Sequence, residues 1–163
     1  MTGEPSIGLW QGSRDLLLPL FELADDSPAA IASYIARGDI LVATMPEPVG
    51  HLQFVEGERP GEFEIKSLAV AEPFQMRGLG SGLVDAAVQA CIERGAGKLT
   101  VSTAICAFDA LRFYLKLGFR VSGFRRNAFT EAAGYPADLR IDGIPLNDAL
   151  MLEREIDRVR SPS

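Results

Sequence analysis

The sequence predicts an α/β domain, more narrowly α+β, built on one mixed sheet. Strand-like and helix-like runs are mixed along the chain, which favours a sheet covered by helices over an all-α or all-β fold. Glu62–Val70 alternates charged and apolar residues as a half-buried strand does, whereas residues 79–94 repeat apolar residues at helical spacing. A chain of 163 residues suits a single domain, so we expect one domain over 1–163.

Four helices are predicted. The first covers residues 13–24, with Ser13 as a possible N-cap and a kink or a late start expected at Pro19. The second covers 28–37, where Ser27 can cap the start and Gly38 can follow the end. The third covers 79–94 and the fourth 108–117, each followed by glycine.

The predicted strands separate these helices. Residues 40–44 and 49–55 predict a hairpin, and Glu62–Val70 is the next strand. A short strand is predicted over 98–102, a longer one over 119–129 and a last one over 147–155. Residues 130–146, rich in Gly, Pro and Asp, are expected to form a long connection.

Composition excludes several classes of function. The net charge of −6 argues against nucleic acid as a partner, because phosphate binding needs clustered Lys and Arg, and it mildly favours cationic substrates. No apolar run approaches the roughly 20 residues of a membrane span, and residues 1–6 carry no secretory signal. Cys91 and Cys106 lack a CxxC or histidine partner, so we expect no metal site and free thiols in a reducing cytoplasm.

The most informative segment is the glycine-rich stretch 75–82, which follows a strand and opens a helix. Gly78 and Gly80 allow the backbone to approach an anion closely at the positive end of a helix dipole. A Walker loop would need a lysine that is missing here, and a dinucleotide fingerprint would need glycine where Leu83 stands. What remains is the pattern Gln75-x-x-Gly78-x-Gly80.

That pattern resembles the acetyl-CoA motif of the GCN5-related N-acetyltransferase family, Gln/Arg-x-x-Gly-x-Gly/Ala. A second stretch, with Ala110, Tyr114, Lys116, Gly118 and Phe119, is similar to the family's A-x-x-x-Y-x-K-x-G-F signature. The resemblance implies a mostly antiparallel central sheet with helices on both faces, splayed between its fourth and fifth strands. It also implies that acetyl-CoA is the cosubstrate of an N-acetyltransferase.

The resemblance assigns cofactor contacts to two groups of residues. The pantetheine arm would pair with the exposed edge of the strand that ends at Val70, and loop amides would hold the pyrophosphate. The residues carried over are Leu68, Ala69, Val70, Gln75, Met76, Arg77, Gly78, Leu79, Gly80 and Ser81. Relatives usually carry Asn seven residues before the tyrosine, but position 107 is Ala here, so that contact is in doubt.

Two catalytic residues are predicted from the chemistry and the resemblance. An alkyl ammonium with a pKa near about 10 must lose a proton before it attacks, and the leaving thiolate must be protonated or stabilised. Glu64 stands where some relatives carry a general base, with Glu62 or plain water as alternatives. Tyr114 matches the family tyrosine at the coenzyme sulfur and would act as the acid.

The acceptor stays open at this stage. A small-molecule amine is favoured, because the connection 130–146 can close over a small cation; protein N-terminal or lysine acetylation and a non-catalytic acyl-CoA sensor are the alternatives. Aromatic side chains are expected to line the acceptor pocket or to belong to the core: Trp10, Tyr34, Phe54 and Tyr135. The chain is expected to be a monomer or a homodimer.

Overall fold

The computed structural model describes residues 3–156 and consists of a central sheet with helices on both faces. Within the described residues the strands are β1 Ser6–Leu9, β2 Asp39–Thr44, β3 Pro48–Glu56, β4 Glu62–Val70, β5 Lys98–Ala104, β6 Arg120–Arg125, β7 Arg140–Ile141, β8 Ile144–Pro145 and β9 Ala149–Glu155. The four α-helices are α1 Leu18–Ala24, α2 Pro28–Tyr34, α3 Leu79–Glu93 and α4 Phe108–Lys116.

Seven strands form the central sheet in the order β1-β2-β3-β4-β5-β9-β6, and β7 and β8 form a separate small hairpin. The β4–β5 pairing is parallel, whereas the neighbouring pairings in the sheet are antiparallel. The expected mixed, mostly antiparallel sheet is confirmed.

The sheet opens between β4 and β5. Strand β4 pairs with β3 as far as Val70, but its pairing with β5 ends at Ile65, which faces Val101. The register with β3 then passes from Ile65 to Ser67, so Lys66 is an extra residue, a β-bulge. A bulge bends and twists its strand. It stands directly after the last β5 pairing and therefore accounts for the predicted splay between the fourth and fifth strands.

The two faces of the sheet carry separate cores. Leu52 and Phe54 of β3 point towards α3 and α4, in the larger hydrophobic cluster. His51 and Gln53, their neighbours on the same strand, point to the other face: His51 stacks on Phe21 of α1, and Gln53 Nε2 donates to the carbonyl of Tyr34 at 2.7 Å. This alternation along β3 is why one strand can serve two cores.

Several predicted element bounds are wrong in detail. The first helix begins as a 3₁₀ turn over Arg14–Leu17, and the α-helix proper starts at Leu18, which places Pro19 in its first turn where a missing N–H costs nothing. Helix α2 ends at Tyr34 rather than at 37. The strand predicted over 119–129 is confined to Arg120–Arg125. Strand β1 was not predicted.

The connection 130–146 is more ordered than its composition suggested. It contains a 3₁₀ turn over Glu131–Ala133 and the β7–β8 hairpin, whose turn residues Asp142 and Gly143 both have positive φ. Such a pair matches the twist of a tight hairpin. In the same part of the chain, Leu146 is buried against Ala104 and Cys106 at the end of β5.

Candidate active site

A cleft of about 790 Å³ lies where β4 and β5 separate. Its lining comes mainly from the end of β4, the following loop, the start of α3 and α4. Helix α1 and the β7–β8 hairpin also contribute to it. Its lining residues are Leu23, Leu68, Ala69, Val70, Phe74, Gln75, Met76, Gly78, Leu79, Gly80, Ser81, Ala107, Phe108, Asp109, Ala110, Phe113, Tyr114, Ile141 and Asp142.

The open edge of β4 presents backbone groups to this cleft. The amide of Ala71 donates to Val49 at 2.8 Å, and alternate residues of an antiparallel strand bond to the same neighbour, so Ala69 also faces β3. Leu68 and Val70 consequently direct their N–H and C=O groups towards the gap. An extended chain placed there can pair with them as an added strand does.

The side chain of Gln75 satisfies one of these groups. Its Nε2 donates to the carbonyl oxygen of Val70 at 2.8 Å, which ties the loop after β4 to the strand end. The first residue of the glycine-rich pattern therefore has a structural contact in addition to its place in the cleft lining. The remaining gap-facing groups of Leu68 and the Val70 amide lie beyond the pairing with β5.

The loop before α3 contains two residues with positive φ. Gly78 is the N-cap of α3 with φ of 80°, and Met76 also has a positive φ, 62°. A non-glycine residue in this region stores strain that often accompanies a binding loop. The first amides of this 15-residue helix lack intrahelical partners and carry partial positive charge.

Gly80 lies in the first turn of α3, two residues after Gly78, and has little room for a side chain. A Cβ atom added there would lie 3.2 Å from Cζ of Phe113 on α4, closer than an ordinary contact. The two helices therefore approach closely at the base of the cleft. Arg77, also in the predicted set, is not among the cleft-lining residues; its guanidinium stands 5.6 Å from the ring centroid of Phe74.

Tyr114 is buried at the wall of the cleft, with 6% of its surface exposed. Its ring packs edge-on against Phe113 and Phe119, at centroid distances of 5.1 and 5.4 Å. Burial raises the pKa of its hydroxyl, so the group stays protonated at physiological pH. A protonated hydroxyl at the cleft wall can donate a hydrogen bond to a departing thiolate.

Glu64 lies on β4 in the part still paired with β5, opposite Thr100 and two residues before the bulge. It is not among the residues that line the cleft, and its carboxylate is 3.9 Å from Lys66 Nζ. Glu62, the alternative, is 3.7 Å from Lys98 Nζ. Both carboxylates are partly exposed, so a proton taken up by either can pass to solvent.

Position 107 lies in the cleft lining and at the N-cap of α4, where alanine supplies no side-chain hydrogen bond to the helix start. The backbone of Ala107 bonds instead to Ala104 and to Leu111. The cleft thus has a methyl group where relatives place an amide.

The connection 130–146 was expected to close over the acceptor, and its residues Ile141 and Asp142 line the cleft. Leu23 of α1 was not predicted there, because it is distant along the chain and carries no motif, so only the fold brings it to the cleft. Four aromatic residues were expected either to line the acceptor pocket or to belong to the core. Two of them, Tyr34 and Phe54, are buried in the two cores. Trp10 packs beside the α1–α2 core, and Tyr135 packs in the 130–146 region.

The family model that matches this chain is the acetyltransferase (GNAT) family, over residues 10–119. This range includes the splayed strands, the glycine-rich loop and Tyr114. The chain belongs to the GNAT family. As a GNAT acetyltransferase it is an N-acetyltransferase that uses acetyl-CoA as its cosubstrate, and both motifs on which the resemblance rested lie within the matched range.

Individual relatives agree with this assignment. The uncharacterized N-acetyltransferase YvbK of Bacillus subtilis (strain 168) is 29% identical over 146 residues, which cover 90% of this chain and 93% of YvbK. The structure of an IAA acetyltransferase from Bacillus cereus ATCC 14579 is 31% identical with a TM-score of 0.81, covering 92% of this chain and 99% of that chain. A GNAT acetyltransferase from Elizabethkingia anophelis, solved with acetyl-CoA bound, is 28% identical with a TM-score of 0.84, covering 93% and 98%.

Two further findings concern the helices and the cysteines of this GNAT chain. Among residues 3–156, no helix has both the length and the apolar character needed to cross a bilayer. Cys91 and Cys106 are both buried free thiols.

Proposed function

We propose that this enzyme transfers the acetyl group of acetyl-CoA to the primary amine of a small molecule. The observation that carries the proposal is the shape of the cleft: about 790 Å³, with the β7–β8 hairpin and Leu23 at one end. Small-molecule sites typically occupy about 300–1,000 Å³. Because the pantetheine arm would share this volume, the remaining space suits a compact acceptor.

Charge supports a cationic acceptor. The chain carries a net charge of −6, and Asp142 is among the residues that line the cleft. An acidic surface raises the local concentration of a cation and steers its approach. A protonated primary amine is such a cation, and it must give up its proton inside the site.

In this proposal acetyl-CoA supplies the activated acetyl group, and residues of the chain bind the cofactor and transfer the protons. The end of β4, Leu68, Ala69 and Val70, holds the pantetheine arm through the gap-facing backbone groups of Leu68 and Val70. The amides from Met76 to Ser81 hold the pyrophosphate, and Gln75 fixes the turn between the two through its bond to Val70. Tyr114 gives its proton to the departing thiolate. Glu64 takes the proton of the amine, directly or through water, with Glu62 or water as the alternative.

We further propose that the enzyme works in the cytoplasm, where its free thiols stay reduced.

The test is release of coenzyme A, detected as free thiol, from acetyl-CoA and the purified protein. The panel contains polyamines, aminoglycosides, amino acids and short peptides with free N-termini or lysines. We expect turnover with one of the small-molecule classes. Turnover with peptides alone would replace the proposal by protein acetylation, and binding of acetyl-CoA without turnover on any amine would favour a non-catalytic sensor.

A further inference from the structure

The carboxylate of Asp25 joins two distant parts of the chain. It lies at the C-terminal end of α1 and accepts three hydrogen bonds: two tyrosine hydroxyls donate at 2.9 Å, one to each oxygen, and the Ser27 amide donates to Oδ1 at 3.0 Å. The Tyr34 hydroxyl of α2 donates to Oδ2, and the Tyr135 hydroxyl of the 130–146 connection donates to Oδ1. The second bond therefore ties this connection to the α1–α2 turn.

Ser27 reinforces the same junction. Its hydroxyl caps α2 by accepting from the Ala30 amide at 3.0 Å and donates to the carbonyl of Ala133 at 3.1 Å. Gly134 follows with φ of 90°, and a Cβ atom there would overlap the Ser27 hydroxyl. The chain at 133–135 is thus fitted closely to the α1–α2 turn.

Both tyrosines are held in their donor form. Burial, followed by the charge of Asp25, raises the pKa of the Tyr34 hydroxyl, and burial together with the Asp25 hydrogen bond raises that of Tyr135. Hydrogen bonds to a charged acceptor are about twice as strong as neutral ones. Asp26 adds a further negative charge near Tyr135.

The other side of the connection is attached to β5. Phe129, Tyr135, Leu139 and Ile141 pack on the cluster formed by Ala104, Cys106 and Leu146. Between these two attachments, Ile141 and Asp142 line the cleft together with Leu23 of α1. The connection therefore packs on both the end of β5 and the α1–α2 turn, and its hairpin contributes to the cleft lining between these attachments.

We infer that the Tyr135–Asp25 hydrogen bond is a clamp that positions the β7–β8 hairpin at the acceptor end of the cleft. Tyr135 and Asp25 are then positioning residues that set acceptor affinity and leave acetyl-CoA affinity unchanged. This inference rests on the proposed function, because it assigns the hairpin end of the cleft to the acceptor. The cofactor end is built from the last residues of β4 and the start of α3, whereas the side-chain hydrogen bonds of Asp25 go to Ser27, Tyr34 and Tyr135.

Two matched variants separate the clamp from a general loss of packing. Tyr135→Phe deletes the hydrogen bond to the connection and keeps the ring contact with Phe129, whose centroid is 5.2 Å away. Tyr34→Phe deletes the other hydrogen bond of the same carboxylate, but that bond stays within the α1–α2 unit. Each variant loses one hydroxyl bonded to Asp25, and Tyr34→Phe also loses the contact of that hydroxyl with Ser67 of β4.

Two readouts apply to both variants. The first is steady-state kinetics of thiol release with the amine that the panel identifies, together with calorimetry of acetyl-CoA. The second is limited trypsin digestion, followed by mass spectrometry, of the bond after Arg140, an exposed residue of β7. Digestion reports the attachment of the hairpin without any need for turnover.

For Tyr135→Phe we expect the acceptor KM to rise about tenfold, as loss of a hydrogen bond to a charged group predicts, with acetyl-CoA affinity within about twofold of the parent. We expect cleavage after Arg140 to be about tenfold faster, and Tyr34→Phe to match the parent in both readouts. Equal effects of the two variants, or no effect of Tyr135→Phe, would overturn the clamp. If the parent turns over no amine, the proposed function and the acceptor role fall together, and digestion alone still decides whether the hairpin is clamped.

Discussion

Gly80 of α3 faces Phe113 of α4 at such short range that a Cβ atom on the glycine would lie 3.2 Å from Cζ of the ring. This contact sets the distance between the two helices where both line the cleft. It gives the second glycine of the Gln75-x-x-Gly78-x-Gly80 pattern a packing role as well as the binding role that the sequence suggests.

The first prediction follows from this contact. Gly80→Val should abolish acetyl-CoA binding, because the branched side chain would push Phe113 aside and occupy the cleft at the start of α3. Calorimetry with acetyl-CoA measures the effect, and Gly123→Val is the matched control, since a Cβ atom at Gly123 meets nothing within 4 Å on the edge strand β6. A folded Gly80→Val protein that binds as the parent does would refute the placement of the anion site.

Tyr114→Phe should lower kcat by about tenfold or more with little change in acetyl-CoA affinity, because positioned proton transfer commonly contributes at least that factor. Phenylalanine keeps the edge-on contacts with Phe113 and Phe119, so the fold should survive. Single-turnover thiol release measures the effect, and thermal unfolding checks stability. Unchanged turnover would remove the hydroxyl from the mechanism.

Glu64→Gln should lower kcat/KM near neutral pH and allow it to recover as the pH rises. Without the base, the amine must arrive already neutral, and its own pKa is near about 10. The measurement is the pH dependence of kcat/KM, with Glu62→Gln as the matched control on the same strand. A Glu64→Gln profile that overlays the parent's, with a shifted Glu62→Gln profile, would transfer the role to Glu62; two unshifted profiles would leave water as the base.

His51 provides a prediction about stability. Its ring is fully buried, stacked on Phe21 at a centroid distance of 4.3 Å, with Nε2 2.7 Å from Oγ of Ser67, and burial lowers its pKa to about 3. The unfolded chain takes up this proton near pH 6.5, whereas the folded protein does not until about pH 3. The buried His51 therefore does not lower the free energy of unfolding above pH 6.5. Below pH 6.5 the free energy of unfolding decreases steadily as the pH falls towards 3.

The expected loss is about 1.4 kcal/mol for each pH unit below about 6, in addition to any contribution from carboxylates. Urea unfolding at pH 7, 6 and 5 measures it, and His51→Gln, which keeps a side-chain partner for Ser67, should remove this part of the slope. Since the chain has one histidine, its imidazole resonance can be followed directly by NMR. A midpoint near 6.5 in the folded protein would contradict the buried neutral ring.

The local sequence pattern was sufficient to predict features that lie within a single helix, strand or turn. The glycine-rich turn, the cap at Ser27, the bounds of Glu62–Val70 and the start of α3 at Leu79 all follow from neighbouring residues, and the structure has them at those positions. Two short motifs were also enough to identify the family, since each has a defined spacing within one helix or its preceding loop. The mixed sheet followed from the mixture of strand and helix patterns.

The tertiary structure decided what depends on residues far apart in the chain. Strand β1 has four residues and gains its place by pairing with β2, so its own sequence carries little signal. The bulge at Lys66 exists only relative to the register of β3. Likewise Asp25 and Tyr135, separated by 110 positions, carry no common pattern and meet only because the folded 130–146 connection packs against the α1–α2 turn. The sequence by itself determined the family and the glycine-rich turn, whereas the opening of the sheet and the place of the β7–β8 hairpin in the cleft lining required long-range pairing and packing.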